Sequence, residues 1–305
     1  MRILFMGTPQ YAVTILEAIF TQGYHEVVGV FTQPDKPVGR KQILQTPPVK
    51  SWSLANLPHV PILQPNHLKS QDVLDTILSL RPEIIIVAAF GQLLPKSVLD
   101  IAPCMNLHAS ILPKFRGASP IQHAILENEK YTGVTAMLMD EGLDTGAILG
   151  FSIVPLKASD DSVKVFDLLA KKAAQLTLKA LDLWPKIKPL PQSNSLASYA
   201  PKITKKDGLI SLEWSAEKIF SHYCALNPWP GLFVSTGLKI IQMSLGSQST
   251  HKRAGEIVAI EKDGALIACG SGSIYIQKVQ APSKKPLLIK DYLQGQRRGV
   301  GDLLF

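Results

Sequence analysis

Asn106 and His108 lie two residues apart in the stretch 104–117, which is the part of the sequence best suited to chemistry. In an extended chain alternate side chains share a face, so the Asn106 amide and the His108 imidazole point the same way while Leu107 turns into the core. Ser110 and Pro113 then end the strand and begin a loop. The pattern predicts a polar pair at the end of a buried strand, where open α/β sheets hold their ligands.

A third candidate, Asp144, lies in the glycine-bracketed acidic loop 140–146. An imidazole can move a proton near pH 7, an amide N–H can donate to a developing oxyanion, and a carboxylate can orient the imidazole. Together they suffice for acyl transfer to an amine without a metal ion or a covalent intermediate. Two plainer interpretations stay open: His108 as a hydrogen-bonded core residue, and Asp144 as the cap of a glycine turn.

Other nucleophiles and metal sites are not indicated by the sequence. No serine lies in a G-x-S-x-G elbow, and none of Cys104, Cys224 and Cys269 has a base beside it in the chain. Three widely spaced cysteines form neither a zinc pattern nor a disulfide framework, which predicts a reduced, cytoplasmic compartment and no metal. No stretch approaches 18 apolar residues, so no membrane partner is expected.

The elements that must position these residues alternate between apolar strands and helices in the first part of the chain. Residues 2–7, 26–33 and 83–90 are continuous apolar runs, which are typical of parallel strands buried on both faces. The predicted fold class is α/β, a Rossmann-like, mostly parallel sheet. Its first turn, Gly7-Thr8-Pro9, lacks the GxGxxG spacing, which argues against NAD or FAD.

A long segment without periodicity follows the second strand at residues 32–48. Loops of this length are usually functional or disordered. The segment carries Lys36, Arg40 and Lys41 near a glycine, which suits contact with phosphates, although a solvated loop explains the same residues.

The sequence predicts a second, smaller domain after a linker. Residues 1–185 form the predicted catalytic domain, and the proline- and serine-rich residues 186–204 read as the linker. Residues 205–305 contain five or six short strand-like runs separated by polar turns, which indicates a small OB-like β-barrel.

All the excess positive charge lies in the last two-fifths of the chain. Residues 1–185 carry 16 Lys and Arg against 16 Asp and Glu, whereas residues 186–305 carry 16 against 8, a net charge of +8. Such asymmetry predicts a polyanionic partner for the second domain, with a solubility role as the alternative.

Two sequence blocks closely resemble the signature of 10-formyltetrahydrofolate-dependent formyltransferases. The first is Asn106-Leu107-His108-Ala109-Ser110-Ile111-Leu112-Pro113 followed by Arg116-Gly117. The second is Gly133-Val134-Thr135 with the loop 140–146, and both stand in the family's order on the expected elements. Ile111 replaces a more frequent leucine, a conservative change.

The resemblance implies roles for individual residues. Asn106 would hold the oxygen of the formyl group, His108 would pass a proton to the departing folate nitrogen, and Asp144 would set the charge of the histidine and help to deprotonate the amine. The folate cosubstrate, 10-formyltetrahydrofolate, would be bound by residues of three loops: Ser110, Ile111, Leu112 and Pro113; Gln92, Leu93 and Leu94; and Met139, Asp140, Glu141 and Gly142.

Further blocks resemble the members of the family that act on initiator Met-tRNA, notably residues 5–9, 31–37, 47–50 and 227–231. This resemblance implies transfer of the formyl group to the α-amino group of the esterified methionine. It also implies tRNA contacts from Lys36, Arg40 and Lys41 and from the C-terminal barrel. We expect the protein to be a monomer. The loop departs from the family at Lys41-Gln42-Ile43, where many members have a further glycine and lysines.

Three other functions remain open from the sequence. A formyltransferase for a nucleotide sugar or for glycinamide ribonucleotide would share the catalytic blocks, although a glycinamide enzyme would lack the basic second domain. A hydrolase of formyltetrahydrofolate would use the same three residues with water as the nucleophile. A non-catalytic RNA-binding protein would not require Asn106, His108 and Asp144 together.

Overall fold

The computed structural model describes residues 1–39, 42–246 and 252–305. The chain divides into two units. The first consists of residues 1–120, 131–155 and 165–200, and the second of residues 121–130, 156–164 and 201–305.

The first half of the chain supplies strands and helices in alternation, up to the strand that carries Asn106 and His108. In chain order these elements are β1 (Arg2–Gly7), α1 (Gln10–Gln22), β2 (Glu26–Phe31), β3 (Lys36–Val38), β4 (Ile43–Gln45), α2 (Pro48–Asn56), β5 (Ile62–Leu63), α3 (Gln71–Leu80), β6 (Ile84–Ala88), α4 (Lys96–Leu99) and β7 (Cys104–His108).

The remaining elements include two more strands of the first unit and all the strands of the second. They are α5 (Pro120–Leu126), β8 (Tyr131–Leu138), β9 (Ile148–Pro155), α6 (Ser162–Leu183), α7 (Ala216–Leu226), β10 (Leu232–Phe233), β11 (Lys239–Leu245), β12 (Ile257–Ile260), β13 (Ala265–Ala268), β14 (Ser273–Gln280), β15 (Leu287–Leu288) and α8 (Ile289–Gly295).

A seven-stranded sheet forms the centre of the first unit, in the order β5-β2-β1-β6-β7-β8-β9. The pairs from β5 to β7 are parallel, and β8 and β9 add on antiparallel, so the prediction of a mostly parallel sheet is confirmed. All five residues of β6 are buried, because its run of isoleucines is covered on both faces. The strand order reverses between β1 and β6, which places a crevice at the carboxyl ends of β1, β6 and β7.

Side chains from several of these strands form one core beneath that edge. Leu4 and Met6 of β1, Ile85 of β6 and Phe90 after β6 belong to a single buried cluster. The hydroxyl of the buried Tyr11 donates to the carbonyl oxygen of Leu107 at 3.1 Å, which joins α1 to β7. Strand β7, which carries the candidate residues, is therefore bonded to α1 as well as to its neighbours in the sheet.

The segment 32–48 is more regular than the sequence predicts. Residues Lys36–Val38 pair antiparallel with Ile43–Gln45, with Lys36 opposite Gln45. Ile43 and Leu44 are each 65% exposed. A strand pair whose side chains meet solvent has no buried face, so its sequence need not alternate between apolar and polar residues. The prediction of a structureless loop is therefore wrong for these two strands.

The second unit is built on an antiparallel sheet in the order β10-β11-β14-β13-β12, with β15 paired to β14. Its core contains fully buried isoleucines from three strands, among them Ile257, Ile267 and Ile276. Helix α7 begins where the Ser215 hydroxyl accepts the N–H of Lys218. This is a small β domain, as the spacing of its strand-like runs predicts.

No helix in the described parts of the chain is both long enough and apolar enough to cross a membrane.

Candidate active site

Asn106 and His108 lie at the carboxyl end of strand β7. The strand pairs with β6 on one side, with Asn106 opposite Val87, and with β8 on the other, with His108 opposite Thr135. Leu107 is 2% exposed and His108 is 6% exposed, while the side chain of Asn106 is partly exposed. The residue between the two polar groups therefore packs in the core, as strand alternation predicts.

Asp144 reaches the same place from the loop between β8 and β9. Its Oδ1 lies 3.3 Å from the Asn106 Nδ2 atom, and its Oδ2 accepts the backbone N–H of Gly117 at 2.8 Å. The same Oδ2 lies 3.6 Å from the His108 Nδ1 atom, with the Asp144 side chain 13% exposed. The structure thus brings Asn106, His108 and Asp144 together, although 38 residues of sequence separate the first from the last.

A single hydrogen bond distinguishes the two ring nitrogens of His108. Its Nε2 atom lies 2.8 Å from the carbonyl oxygen of Phe115. A carbonyl oxygen only accepts, so Nε2 carries a proton in this arrangement. In the neutral ring the Nδ1 atom, which faces Asp144, is therefore the nitrogen that carries no hydrogen.

The amide of Asn106 is oriented by the same carboxylate. Because a carboxylate only accepts hydrogen bonds, the NH₂ group of Asn106 faces Asp144. One N–H of that group is used by Asp144, and the other has no partner among the described residues. An amide N–H fixed in this way suits a developing oxyanion.

Two glycines allow the backbone to close around Asp144. Gly117, whose N–H meets the carboxylate, has φ +117°, a conformation that L side chains rarely adopt. A Cβ atom at Gly146 would lie 1.7 Å from the carbonyl oxygen of Leu138, so any other residue there would push the loop away from β8. Asp144 itself has φ +54°, in the left-handed region that aspartate tolerates better than most residues.

The predicted folate-binding loop after β7 has a mixed exposure. The Ser110 hydroxyl donates to the Lys114 carbonyl oxygen at 2.6 Å within the loop, and Leu112 is 2% exposed. Ile111 and Pro113 are partly exposed. Thr135 on β8 supports the loop, because its hydroxyl donates to the Ser110 carbonyl oxygen and accepts the N–H of Leu112.

The loop after β6 presents one exposed apolar side chain near this edge. Leu93 is 77% exposed, whereas Leu94 is 6% exposed and belongs to the core. The amide of Gln92 donates to the Pro65 carbonyl oxygen at 2.9 Å, which ties the loop down.

The third predicted folate-binding stretch, 139–142, borders a cavity. The cavity has a volume of about 510 Å³, and its lining includes α4 and the residues Met139, Asp140, Glu141 and Gly142. The Asp140 carboxylate is engaged within its loop, since it accepts the N–H of Gly142 and the hydroxyl of Thr145.

Of the three predicted tRNA-binding residues, only Lys36 lies within the described residues. It is exposed, and its Nζ atom lies 3.5 Å from the Gln33 side-chain oxygen. Arg40 and Lys41 fall outside the described residues.

The base of the hairpin that carries Lys36 is fixed by an ion pair. Lys50 Nζ lies 3.0 and 2.9 Å from the two carboxylate oxygens of Asp35. Gln64 donates to Asp35 at 2.7 Å and to the Gln33 carbonyl oxygen at 2.8 Å. These hydrogen bonds, first that of Gln64 and then that of Lys50, hold the pKa of Asp35 below its usual range.

The cysteines are not nucleophiles in this fold. All three are buried and unpaired. Burial raises the pKa of Cys104 and Cys269 to about 12 and that of Cys224 to about 11, so each stays a thiol near pH 7. Among residues 1–39, 42–246 and 252–305, no group of three or more His, Cys, Asp or Glu side chains is arranged to hold a metal ion.

Sequence reasoning missed Gln192, which contacts the loop that carries Asp144. Its Nε2 atom donates to the carbonyl oxygens of Asp144 and Gly146 at 2.9 and 2.8 Å. The residue lies in the proline- and serine-rich segment interpreted as a linker, and no motif or periodicity there marks it. Segment 190–200 is held to the first unit at other points too, including the backbone pairing of Arg116 with Tyr199.

Comparison with protein families gives two matches, one in each part of the chain. Residues 1–181 match the family described as formyl transferase, and residues 202–297 match the family described as formyl transferase, C-terminal domain.

Two relatives are similar over the whole chain. A methionyl-tRNA formyltransferase of Campylobacter curvus is 52% identical over 302 residues, covering 99% of this chain and 99% of its own. A methionyl-tRNA formyltransferase of a Nitratiruptor species is 48% identical over 305 residues, covering 100% of both chains.

Solved structures show the same fold at low sequence identity. An N-formyltransferase from Helicobacter canadensis, in complex with folinic acid and dTDP-3-aminofucose, has a TM-score of 0.67 at 19% identity, covering 90% of this chain and 98% of its own. The HypX protein of Aquifex aeolicus, in complex with tetrahydrofolic acid, has a TM-score of 0.66 at 17% identity, covering 98% of this chain and 48% of its own.

Proposed function

This chain belongs to the formyl transferase family, and from that premise we propose that it formylates initiator Met-tRNA. The formyl group of 10-formyltetrahydrofolate passes to the α-amino group of the esterified methionine, and the product is N-formylmethionyl-tRNA for translation initiation. The observation that carries this function is the full-length identity to the Campylobacter and Nitratiruptor enzymes.

The direct test is transfer of a labelled formyl group from 10-formyltetrahydrofolate to charged initiator tRNA. We expect rapid transfer to Met-tRNA and little to free methionine. Efficient formylation of a nucleotide sugar without any transfer to Met-tRNA would overturn the proposal.

The alternative acceptors are not favoured. The sugar N-formyltransferase structure is 19% identical to this chain, which supports a shared fold only. A non-catalytic RNA-binding role leaves unexplained why three polar side chains converge on one point.

For the chemical step, we propose that Asn106 stabilises the charge that develops on the formyl oxygen. The methionine α-amino nitrogen attacks the formyl carbon, and the carbon–oxygen double bond opens as negative charge collects on oxygen. The free N–H of the Asn106 amide donates to that oxygen while Asp144 holds the amide in place.

His108 and Asp144 would manage the protons of the same step. The amine loses one proton on attack, and the folate nitrogen must gain one when its bond to the formyl carbon breaks. The Nδ1 atom of His108 is the nitrogen that carries this proton, since Nε2 is held by Phe115. Asp144, 3.6 Å from Nδ1, stabilises the imidazolium and helps to deprotonate the amine.

The formyl donor would bind along the loops after β6, β7 and β8. The exposed Leu93 offers an apolar surface to the pterin ring, and the cavity beside residues 139–142 offers backbone groups to its polar edge. Residues 110–113 would border the other side, with Ile111 and Pro113 as the accessible members.

The tRNA would contact the hairpin 36–45 and the second unit. The second unit carries exposed lysines and arginines on several of its elements: Lys202, Lys205, Lys206, Lys218, Lys239, Lys252, Arg253, Lys262, Lys278, Lys284, Lys285 and Arg297. Two of them have protein partners, because Lys252 pairs with Glu256 at 2.9 Å and Lys218 lies 4.2 Å above the Trp214 ring. The remainder suits a polyanion.

Salt dependence tests this assignment of the charge. If the second unit binds phosphates, the KM for Met-tRNA should rise at least about 10-fold between roughly 50 and 200 mM salt, since each neutralised phosphate releases counterions. The KM for 10-formyltetrahydrofolate should change little over the same range. Equal, shallow responses of both constants would contradict a tRNA-binding role for this charge.

The ion pair at the base of the hairpin gives a second prediction. Lys50→Met removes both hydrogen bonds from Lys50 to Asp35, so the hairpin that carries Lys36 should lose its fixed orientation. We expect the KM for Met-tRNA to rise roughly 5-fold while kcat and the KM for the formyl donor stay near wild type. Steady-state kinetics with Lys171→Met as the control, an exposed lysine on α6, would measure the effect. A change confined to kcat would contradict it.

Finer features remain proposals that the same premise supports. We propose that the antiparallel sheet of the second unit closes as an OB-like barrel, and that the chain divides into a catalytic domain at 1–185, a linker at 186–204 and a tRNA-binding domain at 205–305. We also propose that the protein is cytoplasmic. We propose that it is a monomer, which light scattering of the purified protein would test.

A further inference from the structure

A buried arginine contacts Gln192, the residue that bonds to the loop carrying Asp144. Arg116 is 2% exposed, and within the described residues its guanidinium bonds only to neutral amides. Its Nε and Nη2 atoms both donate to the Gln192 side-chain oxygen, at 3.1 and 2.8 Å, and its Nη1 atom donates to the Asn194 side-chain oxygen at 3.1 Å.

These contacts fix the direction of the Gln192 amide. Because its oxygen accepts two N–H groups from Arg116, its NH₂ group must face the opposite way. There it donates to the carbonyl oxygens of Asp144 and Gly146. A positive charge on the acceptor side of an amide strengthens the hydrogen bonds that its N–H groups donate.

The two carbonyl oxygens belong to the part of the loop that aims the Asp144 carboxylate. Asp144 has φ +54°, a sparsely populated conformation that persists only where its surroundings hold it. Gln192 holds the carbonyl side of this residue, while Asn106, Gly117 and His108 meet the carboxylate side.

We propose that Gln192 is a positioning residue that acts through Asp144, and that Arg116 orients Gln192. The inference rests on the proposed function, because it assumes that Asp144 takes part in the chemical step. Gln192 does not touch the reacting atoms. It holds the loop so that the carboxylate meets Asn106 and the Nδ1 atom of His108.

A double-mutant cycle with Asp144 tests this. Gln192→Leu should lower kcat for formyl transfer about 10- to 30-fold, with less than about 3-fold change in either KM. In an Asp144→Asn background the same substitution should change kcat by less than about 2-fold, because the carboxylate that it positions is gone. If Gln192→Leu lowered kcat by the same factor in both backgrounds, the proposal would be overturned, because Gln192 would then act independently of Asp144.

Gln192→Glu separates positioning from simple packing. A carboxylate keeps an acceptor for Arg116 but loses both N–H donors to the loop, so we expect kcat as low as that of Gln192→Leu with an unchanged melting temperature. Near wild-type kcat in Gln192→Glu would overturn the proposal, and this variant answers the question even where Gln192→Leu does not fold. Gln71→Leu, at an exposed position of α3, is the matched control and should behave as wild type.

These experiments distinguish failure of the Gln192 inference from failure of the proposed function. If the proposed function is wrong, the wild-type protein transfers no formyl group to Met-tRNA, and this is seen before any variant is compared. With any amine that the wild type does formylate, the cycle still reports whether Gln192 and Asp144 are coupled.

Discussion

Asp144→Asn is expected to lower kcat for formyl transfer by roughly 10³- to 10⁴-fold, with little change in the KM of either substrate. The carboxylate accepts hydrogen bonds from Asn106 and Gly117 and faces the His108 Nδ1 atom. An asparagine has one oxygen for these three neighbours, so its NH₂ group must face at least one N–H donor. The variant also removes the negative charge that stabilises an imidazolium.

Single-turnover kinetics with saturating Met-tRNA and formyl donor would measure this loss. Asp75→Asn, a surface substitution on α3, is the control and should leave kcat unchanged. If Asp144→Asn instead raised the KM of the formyl donor and spared kcat, the carboxylate would be a folate-binding group rather than part of the chemical step.

Much of the first unit follows from local sequence pattern. The isoleucine run of β6 predicts a strand buried on both faces, and all five of its residues are buried. The antiparallel addition of β8 and β9 is not predictable in this way, because buried parallel and antiparallel strands carry the same apolar residues. The pairing of β3 with β4 is not predictable for a related reason, since their described side chains are exposed and the sequence shows no alternation.

Part of the candidate site is predictable from local sequence, and part depends on contacts between distant residues. Strand alternation alone places Asn106 and His108 on one face with Leu107 in the core. Asp144 comes from a separate loop. Its residue type makes it a chemical partner for the other two, but only the resemblance to the formyltransferases implies that the three act together. Periodicity carries no information about a contact across 38 residues, which depends on how the loop after β8 returns along the sheet.

Backbone acceptors and distant amides are the hardest part of the site to predict. The Phe115 carbonyl oxygen determines which nitrogen of His108 carries a proton in this arrangement, yet every residue type presents the same carbonyl group. Gln192 lies in a segment whose proline and serine content indicates a linker, and its contacts depend on the fold alone. Composition describes what a segment is made of and not what it packs against.

His108→Ala is expected to lower kcat by roughly 10²- to 10⁴-fold, because it removes the group that we propose carries the proton to the departing nitrogen. The KM for the formyl donor should change far less. The substitution should also cost about 1–3 kcal/mol of stability, since the carbonyl oxygen of Phe115, a residue that is 3% exposed, would lose its donor.

His108→Gln separates these two effects and shows which ring nitrogen matters. The Gln side-chain nitrogen can occupy the place of Nε2 and donate to the Phe115 carbonyl oxygen, but no titrating group then faces Asp144. We therefore expect thermal unfolding of His108→Gln close to that of wild type, with kcat as low as in His108→Ala. Recovery of kcat in His108→Gln, or equal losses of turnover and folate affinity in His108→Ala, would make the histidine a binding or packing residue. Because the Phe115 carbonyl occupies Nε2 throughout, a proton donor at this position has to act through Nδ1, on the side where Asp144 lies.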